Sequence, residues 1–273
     1  MEANKIYEMD AIEFLKKIDD KVVDLILCDL PYGMTACEWD SIIPLDKLWI
    51  EYERIIKDNG IIVLTASQPF TSALVMSNPK IFKYELIWEK GKATGHTLCN
   101  IRPLKAHENI LVFSKNKSTY NPQFTTGTKY KGRNNISEYK IRNKDWKISH
   151  GNRKDNDGFR YPRSVIKISN VNKIGQHPTQ KPLELFEYLI KTFTNEKDLV
   201  VDNCVGSGTT AVACQRNNRI FMCCDNNPEY VKISNQLLTQ KTVRGFNPLN
   251  EESLIAIKRD SAESPNPPTA DFS

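Results

Sequence analysis

Val22-Val23-Asp24-Leu25-Ile26-Leu27-Cys28-Asp29-Leu30-Pro31-Tyr32-Gly33 is the stretch whose reading decides the fold. Residues 22–28 form a nearly continuous aliphatic run, as a strand buried on both faces of a parallel sheet requires. Pro31 cannot continue a central strand, and Gly33 permits a sharp exit. The run therefore delivers a carboxylate, Asp29, and an aromatic ring, Tyr32, to the carboxyl edge of a sheet. Open α/β sheets bind their ligands at that edge. A plain strand followed by a Pro-Gly turn is the simpler reading of the same residues.

Working outward, strands and helices alternate. Residues 5–8 read as a short strand and 10–17 as an amphipathic helix. A polar, aromatic loop over 34–43 follows the opening stretch. Apolar residues at helical spacing then run from Leu45 to Ile56, and Asp58-Asn59-Gly60 reads as the stop. A buried strand is expected over 61–66, a helix from Ser67-Gln68-Pro69 to Met76, and further strands over 84–88 and 110–113. After the segment 115–175 the alternation resumes with a helix over 183–193, a strand over 199–202, a Gly-rich turn opening a helix to Asn217, a strand over 219–224 and a helix over 228–238. The pattern is that of an α/β fold, a mostly parallel sheet with helices on both faces.

Composition bounds the function classes. The 273 residues are 40% hydrophobic and carry a formal net charge of +5. No apolar run approaches the roughly 20 residues of a membrane span, and the start, Met1-Glu2-Ala3-Asn4-Lys5, is polar. A soluble, cytoplasmic protein with no membrane partner is the expectation. The seven cysteines form no Cys-x-x-Cys pair, and four lie in apolar or strand-like runs. Free thiols in a reducing compartment fit this better than structural zinc or a disulfide framework, and no metal is expected. The charge is unevenly spread: residues 115–175 hold fifteen Lys/Arg against four Asp/Glu, while the rest holds 23 basic and 29 acidic residues. That segment has no periodicity, yet Tyr120, Phe124, Tyr130, Tyr139, Trp146, Phe159 and Tyr161 argue against plain disorder. It reads as a loop-rich subdomain facing a polyanion. The tail over 246–273 reads as disordered.

The second informative stretch is Leu199-Val200-Val201-Asp202-Asn203-Cys204-Val205-Gly206-Ser207-Gly208-Thr209-Thr210. A strand, a Gly-rich turn and a helix N-terminus let backbone approach a ligand closely. Twenty-three residues after Asp202 a second strand ends in Asp225, the position from which an acid takes ribose hydroxyls. There is neither a Gly-x-Gly-x-x-Gly pattern nor a Gly-Lys-Ser/Thr, so a dinucleotide and a P-loop are disfavoured. A ligand with adenosine but no phosphates, such as S-adenosylmethionine (AdoMet), fits better.

Together the two stretches resemble the β class of DNA amino-methyltransferases, in which a catalytic Asp-Pro-Pro-Tyr comes first, a target-recognition insertion second and the AdoMet loop last. Asp29-Leu30-Pro31-Tyr32 matches the first and Asp202 to Thr210 the last. His177-Pro178-Thr179-Gln180-Lys181-Pro182 is similar to the family's His-Pro-Thr-x-Lys-Pro. Trp88-Glu89-Lys90, Arg102-Pro103 and the run from His107-Glu108-Asn109 to Lys115 match the strands flanking the insertion. The resemblance covers about 1–115 and 174–240. Two departures stand out: Leu30 replaces the first Pro, and Asn203-Cys204 replaces a common Pro-Phe, leaving looser packing against the cofactor's adenine.

The resemblance implies a Rossmann-like methyltransferase with catalytic parts at 1–115 and 174–245 and a recognition insertion at 116–173. It implies catalytic roles for Asp29, Leu30, Pro31 and Tyr32, with the Asp29 carboxylate and Leu30 carbonyl accepting the two N–H bonds of a flipped base's amine and Tyr32 stacking on that base. The implied AdoMet contacts are Asp10, Asp29, Lys181, Asp202, Cys204, Gly206, Ser207, Gly208, Thr209, Thr210 and Asp225. For Asp10 a helix cap is an equal reading, and Lys181 also reads as a solvated lysine at a helix start. Lys129, Lys131, Arg133, Lys140 and Arg142 are the expected DNA contacts, to phosphates more than to bases. Double-stranded DNA, a second copy of the chain and a companion restriction enzyme are the implied partners. Asp29 favours adenine N6, since N4-cytosine enzymes commonly have Ser there, and no Pro-Cys nucleophile for C5 methylation exists. A non-catalytic nucleic-acid-binding module is the alternative from another class. His107, beside a strand, is expected to be a packed core histidine.

Overall fold

The computed structural model describes residues 1–33, 42–132, 155–170 and 181–239. Most of the 34–43 loop, Arg133, Lys140, Arg142, His177 to Gln180 and the 246–273 tail lie outside the described residues. In chain order the elements are β1 (Lys5–Glu8), α1 (Ala11–Lys16), β2 (Val23–Cys28), α2 (Leu45–Ile55), β3 (Ile56–Ala66), α3 (Phe70–Ser77), β4 (Phe82–Thr94), β5 (Lys105–Phe113), β6 (Thr125–Thr126), β7 (Phe159–Arg160), β8 (Val165–Ile168), α4 (Leu183–Phe193), β9 (Leu199–Asp202), α5 (Thr209–Arg216), β10 (Ile220–Asp225) and α6 (Pro228–Thr239).

Eight strands form one sheet in the order β1-β10-β9-β2-β3-β5-β4-β8. Every neighbouring pair is parallel except the two made by β5, which alone runs against the rest. The expected mostly parallel sheet with two helical layers is thus observed. β2 and β9 lie side by side, with Leu25 opposite Val200 and Ile26 opposite Val201. From β2 the chain steps through α2 to β3 on one side, and from β9 through α5 to β10 on the other. The strand order reverses between them, so a crevice opens at the carboxyl ends of β2 and β9, where α/β sheets take ligands.

Alternation along the strands divides the core. Val23, Ile26 and Cys28 face α1, α2 and α3, joined by Ile62, Leu64, Leu111 and Phe113. Leu25, Leu27, Ile61, Val63, Ile110 and Val112 face the other layer, where α4 packs with Leu185, Phe186, Leu189, Ile190 and Phe193 and α5 with Ala211, Ala213 and Cys214. The buried residues of α2 (Leu48, Trp49, Tyr52, Ile55) fall one helical turn apart, and so make one stripe. Each such side chain contributes about 1.5–3 kcal/mol on burial.

Two elements depart from the sequence reading. Asp58-Asn59-Gly60 does not separate α2 from the next strand: β3 begins at Ile56, with Ile56 opposite Val23 and Ile61 opposite Leu25, so the polar residues bulge out of a continuing strand. Gly60 is needed there for room, because a Cβ would lie 2.7 Å from Ile56 Cγ1 and 3.1 Å from the Asp24 carbonyl. The second concerns the basic segment: β8 pairs in parallel with Ile87 to Lys90 of β4. The segment expected as an insertion over 116–173 therefore gives an edge strand to the main sheet. Six cysteines lie among the described residues, each a free thiol, and no described helix is long and apolar enough to cross a membrane.

Candidate active site

Asp29 leaves β2 directly after its last residue and is held from three sides. Tyr32 Oη donates to Asp29 Oδ1 at 2.7 Å. Thr65, near the end of the neighbouring β3, donates its hydroxyl to the same oxygen. Lys181 Nζ donates to Oδ2 at 2.6 Å. With two donors on Oδ1 and one on Oδ2, Oδ2 is the oxygen that retains acceptor capacity. The Asp29 side chain is 28% exposed. Leu30 is buried at 3% and anchors the turn.

Tyr32 is half-buried and has neighbours of its own. Its ring stacks on Phe70, with centroids 5.3 Å apart and planes at 28°, and Lys181 Nζ lies 5.6 Å from its centroid. The Tyr32 hydroxyl also supports the Asp29 carboxylate. Burial holds the Tyr32 phenol well above its usual range, so it acts as a donor.

Behind Asp29 runs a chain of alternating charges. Lys181 Nζ lies 3.3 Å from Glu108 Oε2, and Glu108 Oε1 lies 2.5 Å from Lys90 Nζ. Burial disfavours the Lys181 ammonium, but Asp29, Tyr32 and Glu108 outweigh it and hold its pKa well above the usual lysine range. Lys90 comes from the carboxyl end of β4, and Glu108 from the amino end of the antiparallel β5. The reversed strand is what brings a residue near its start to the edge where parallel strands finish. Lys105, also on β5, donates to Ser67 at the end of β3, and burial lowers its pKa.

Across the crevice the turn after β9 is shaped by Asp202 and Asp225. Asp202 is 2% exposed; its Oδ1 accepts from Cys204 N–H at 2.9 Å and its Oδ2 from the Thr210 hydroxyl. Burial raises its pKa to about 7 in spite of these bonds. Asp225 ends β10 and accepts from Gly206 N–H and Asn227 N–H, each at 2.9 Å. Gly206 and Gly208 both have left-handed backbones, φ 52° and 90°. A Cβ on Gly206 would meet nothing within 4 Å, whereas one on Gly208 would lie 2.9 Å from Ser234 Cβ. Gly208 thus lets α6 pack against the loop, and Gly206 borders open space. Ser207, Thr209 and Thr210 are buried, and Cys204 is half-buried. Tyr52 of α2 donates to Asn203 Oδ1 at 2.5 Å, tying this loop to the β2 layer.

The structure therefore brings Asp29, Lys181, Tyr32, Asp202, Cys204, Gly206 and Asp225 to one edge. Asp10 stands at the same edge after β1 and caps α1, its Oδ1 accepting from Ile12 and Glu13 N–H at 2.9 and 3.1 Å. Lys129 and Lys131 are exposed beside the small β6–β7 ribbon. His107 is exposed on β5, not packed in the core, because the first residues of that strand extend past its neighbours' buried part. Thr65, Lys90 and Glu108 escaped assignment from sequence. The available signal was polar residues ending otherwise apolar strands.

These features agree with known proteins. A family model described as DNA methylase matches residues 23–236. The Type II methyltransferase M1.MboII of Moraxella bovis is 29% identical over 262 residues, 88% of this chain and 98% of the relative. The Type II methyltransferase M.HpaI of Haemophilus parainfluenzae is 26% identical over 255 residues, 89% and 76% of the two chains. Among solved structures, the M1.HpyAVI–SAM complex is 25% identical with a TM-score of 0.57, covering 85% of this chain and 98% of that one. The cytosine-N4-specific PvuII DNA methyltransferase, at 19% identity and TM-score 0.59 over 93% and 90%, shares the fold. With the model spanning most of its length and the motifs in β-class order, the chain belongs to the DNA methylase family.

Proposed function

We propose that this DNA methylase uses AdoMet to methylate the N6 amine of adenine at a specific site in duplex DNA, after flipping the base. The crevice fits the cofactor: Gly206 borders open space, the Asp225 carboxylate is pinned beside it by two backbone N–H groups, and Asp29 stands at the neighbouring strand end. In this reading Asp225 takes the ribose hydroxyls, and Cys204 and Ser207 belong to the same loop. The M1.HpyAVI–SAM structure supports the assignment.

AdoMet supplies an electrophilic methyl; the chain's own task is to make a poor nucleophile attack. An adenine amine is nearly planar because its lone pair is delocalised into the ring. Asp29 Oδ2, with acceptor capacity left, takes one N–H, and the Leu30 carbonyl takes the other. Both favour the pyramidal geometry in which the lone pair is free, and both stabilise positive charge developing on nitrogen. Tyr32, Thr65 and Lys181 fix the carboxylate beforehand, so no reorganisation accompanies the step. A flipped base is required because the amine is otherwise inside the duplex.

The observation that carries the reading is a carboxylate held by three donors at the switch point, facing a glycine loop with its own acid. Lys129 and Lys131, with Arg133, Lys140 and Arg142, are proposed to meet the phosphates. The Type II relatives support a partner endonuclease of matching specificity, and pairing with a second copy is proposed from the family. The test is methyl transfer from labelled AdoMet to duplex DNA. The wild-type chain should label it, and Asp29→Ala should lose at least about 10³-fold in rate. Near-normal turnover by Asp29→Ala would sink the mechanism.

A further inference from the structure

We infer that Glu108 is a positioning residue for Asp29, acting through Lys181, and that Lys90 completes with it a charge-neutral relay behind the reacting amine. This rests on the reading of Asp29 given above.

The relay joins four elements: β4, β5, the segment entering α4 and the end of β2. The side chains of Lys90, Glu108 and Lys181 are 7%, 13% and 10% exposed. Charges so withdrawn from water persist only when paired, and removing one partner strands the other. Lys90, Lys181, Glu108 and Asp29 sum to zero, with the Lys105 ammonium, which interacts with Glu108, Lys90 and Lys181, adding a positive charge beside them. Loss of one carboxylate raises the local charge by one, and loss of a lysine with it restores the wild-type value.

Glu108 Oε2 is the informative atom. It is buried, lies 3.3 Å from Lys181 Nζ and has no hydrogen bond among the described residues. Lys181 carries three N–H donors and bonds Asp29 at 2.6 Å. A second acceptor therefore waits beside the ammonium. When a substrate N–H comes to Asp29 Oδ2, Lys181 can turn a proton to Glu108 and yield Oδ2 without losing its own pairing. Glu108 thereby sets how tightly Lys181 grips the carboxylate.

The charge balance has a second consequence. The reaction moves positive charge from the sulfonium sulfur to the amine nitrogen, the nearer of the two to Asp29 in the proposed pose. A net charge left behind Asp29 therefore acts on the barrier through the difference between the two distances. Glu108→Gln leaves the relay at +1, opposing the reaction. Lys90→Gln/Glu108→Gln restores zero. A merely structural ion pair predicts that the second substitution restores Tm; recovery of kcat measured well below the Tm of every variant separates an effect on the reaction from one on stability.

The experiment measures kcat and the AdoMet KM on duplex DNA for the wild type, Glu108→Gln, Glu108→Asp and the double variant. Glu108→Gln should lower kcat about 10–100-fold, the scale of a catalytic carboxylate displaced by up to about 1 Å, with the AdoMet KM changed less than about 3-fold. The double variant should recover at least about 5-fold over Glu108→Gln, and Glu108→Asp, which keeps the charge, should stay within about 5-fold of wild type. The inference is overturned if Glu108→Gln keeps wild-type kcat, or if the double variant is no faster than Glu108→Gln. Should Glu108→Gln not fold, a Glu108→Asp kcat within about 5-fold of wild type supports the relay and a larger loss overturns it. A wild-type chain that transfers no methyl to DNA would instead overturn the proposed function itself.

Discussion

Gly206 and Gly208 sit two residues apart in the loop after β9, yet replacing each by alanine should damage different properties. Both have left-handed backbones, φ 52° and 90°, which costs an L-residue about 1–2 kcal/mol. For Gly206→Ala that is nearly the whole stability cost, since the new methyl meets nothing within 4 Å. For Gly208→Ala the methyl would lie 2.9 Å from Ser234 Cβ and 3.0 Å from Ser234 Cα. Overpacking of this kind adds about 1–3 kcal/mol, for a total of about 2–5 kcal/mol. At roughly 2–4 °C per kcal/mol for a chain of this size, Tm should fall by about 2–8 °C for Gly206→Ala and about 4–20 °C for Gly208→Ala. Binding should run the other way. The Gly206 methyl points into the space assigned to AdoMet, so the Kd from calorimetry should rise at least about 10-fold, the cost of one serious steric misfit. The Gly208 methyl points into α6, and below its Tm that variant should bind within about 3-fold of wild type. Scanning calorimetry without ligand and titration with AdoMet supply both columns. Equal losses of Tm together with unchanged AdoMet affinity in Gly206→Ala would refute the placement of the cofactor beside this loop.

Asp225→Ala should raise the AdoMet KM about 10–100-fold, as for loss of a charged hydrogen bond, with kcat within about 3-fold, since ribose contacts are equal in ground and transition states; an unchanged KM with a fallen kcat would show that Asp225 acts elsewhere. Asp202 makes stability pH-dependent: burial raises its pKa from 3.8 to about 7. Between those values the folded state holds a proton that the unfolded state has released, so stability falls as pH rises from about 4 to 7, by up to about 4 kcal/mol, and is level above. Asp202→Asn can accept from Cys204 N–H and donate to Thr210, so it should remove this slope and exceed wild-type Tm at pH 8 but not at pH 4. A Tm difference independent of pH would refute the assignment.

The half of the site that was legible in sequence is the half built from single strand ends. The run ending at Cys28 announces Asp29 by periodicity and a Pro-Gly exit, and the run ending at Asp202 announces the glycine loop, because each signal is contained in a dozen residues. Glu108, Lys90 and Thr65 gave no such signal. Thr65 meets Asp29 because β3 lies beside β2, and Glu108 and Lys90 stand behind Lys181 only because β5 is reversed and inserted between β3 and β4, pairings that no local pattern encodes. The packing of Tyr32 on Phe70, 38 residues away, was equally absent from any local pattern. The stop read at Asp58-Asn59-Gly60 failed because turn-type residues also suit a bulge, and the parallel partner β2 carries the strand past them.

The most direct test of the central claim is the identity of the methylated base. Duplex DNA treated with the wild-type chain and methyl-labelled AdoMet is digested to nucleosides and separated by chromatography. The label should travel with N6-methyladenine, and the Asp29→Ala reaction should leave that position blank. Label in N4-methylcytosine would contradict adenine as the target. Label absent from both, in a chain that binds AdoMet and DNA, would contradict the assignment of Asp29 as the acceptor that drives methyl transfer.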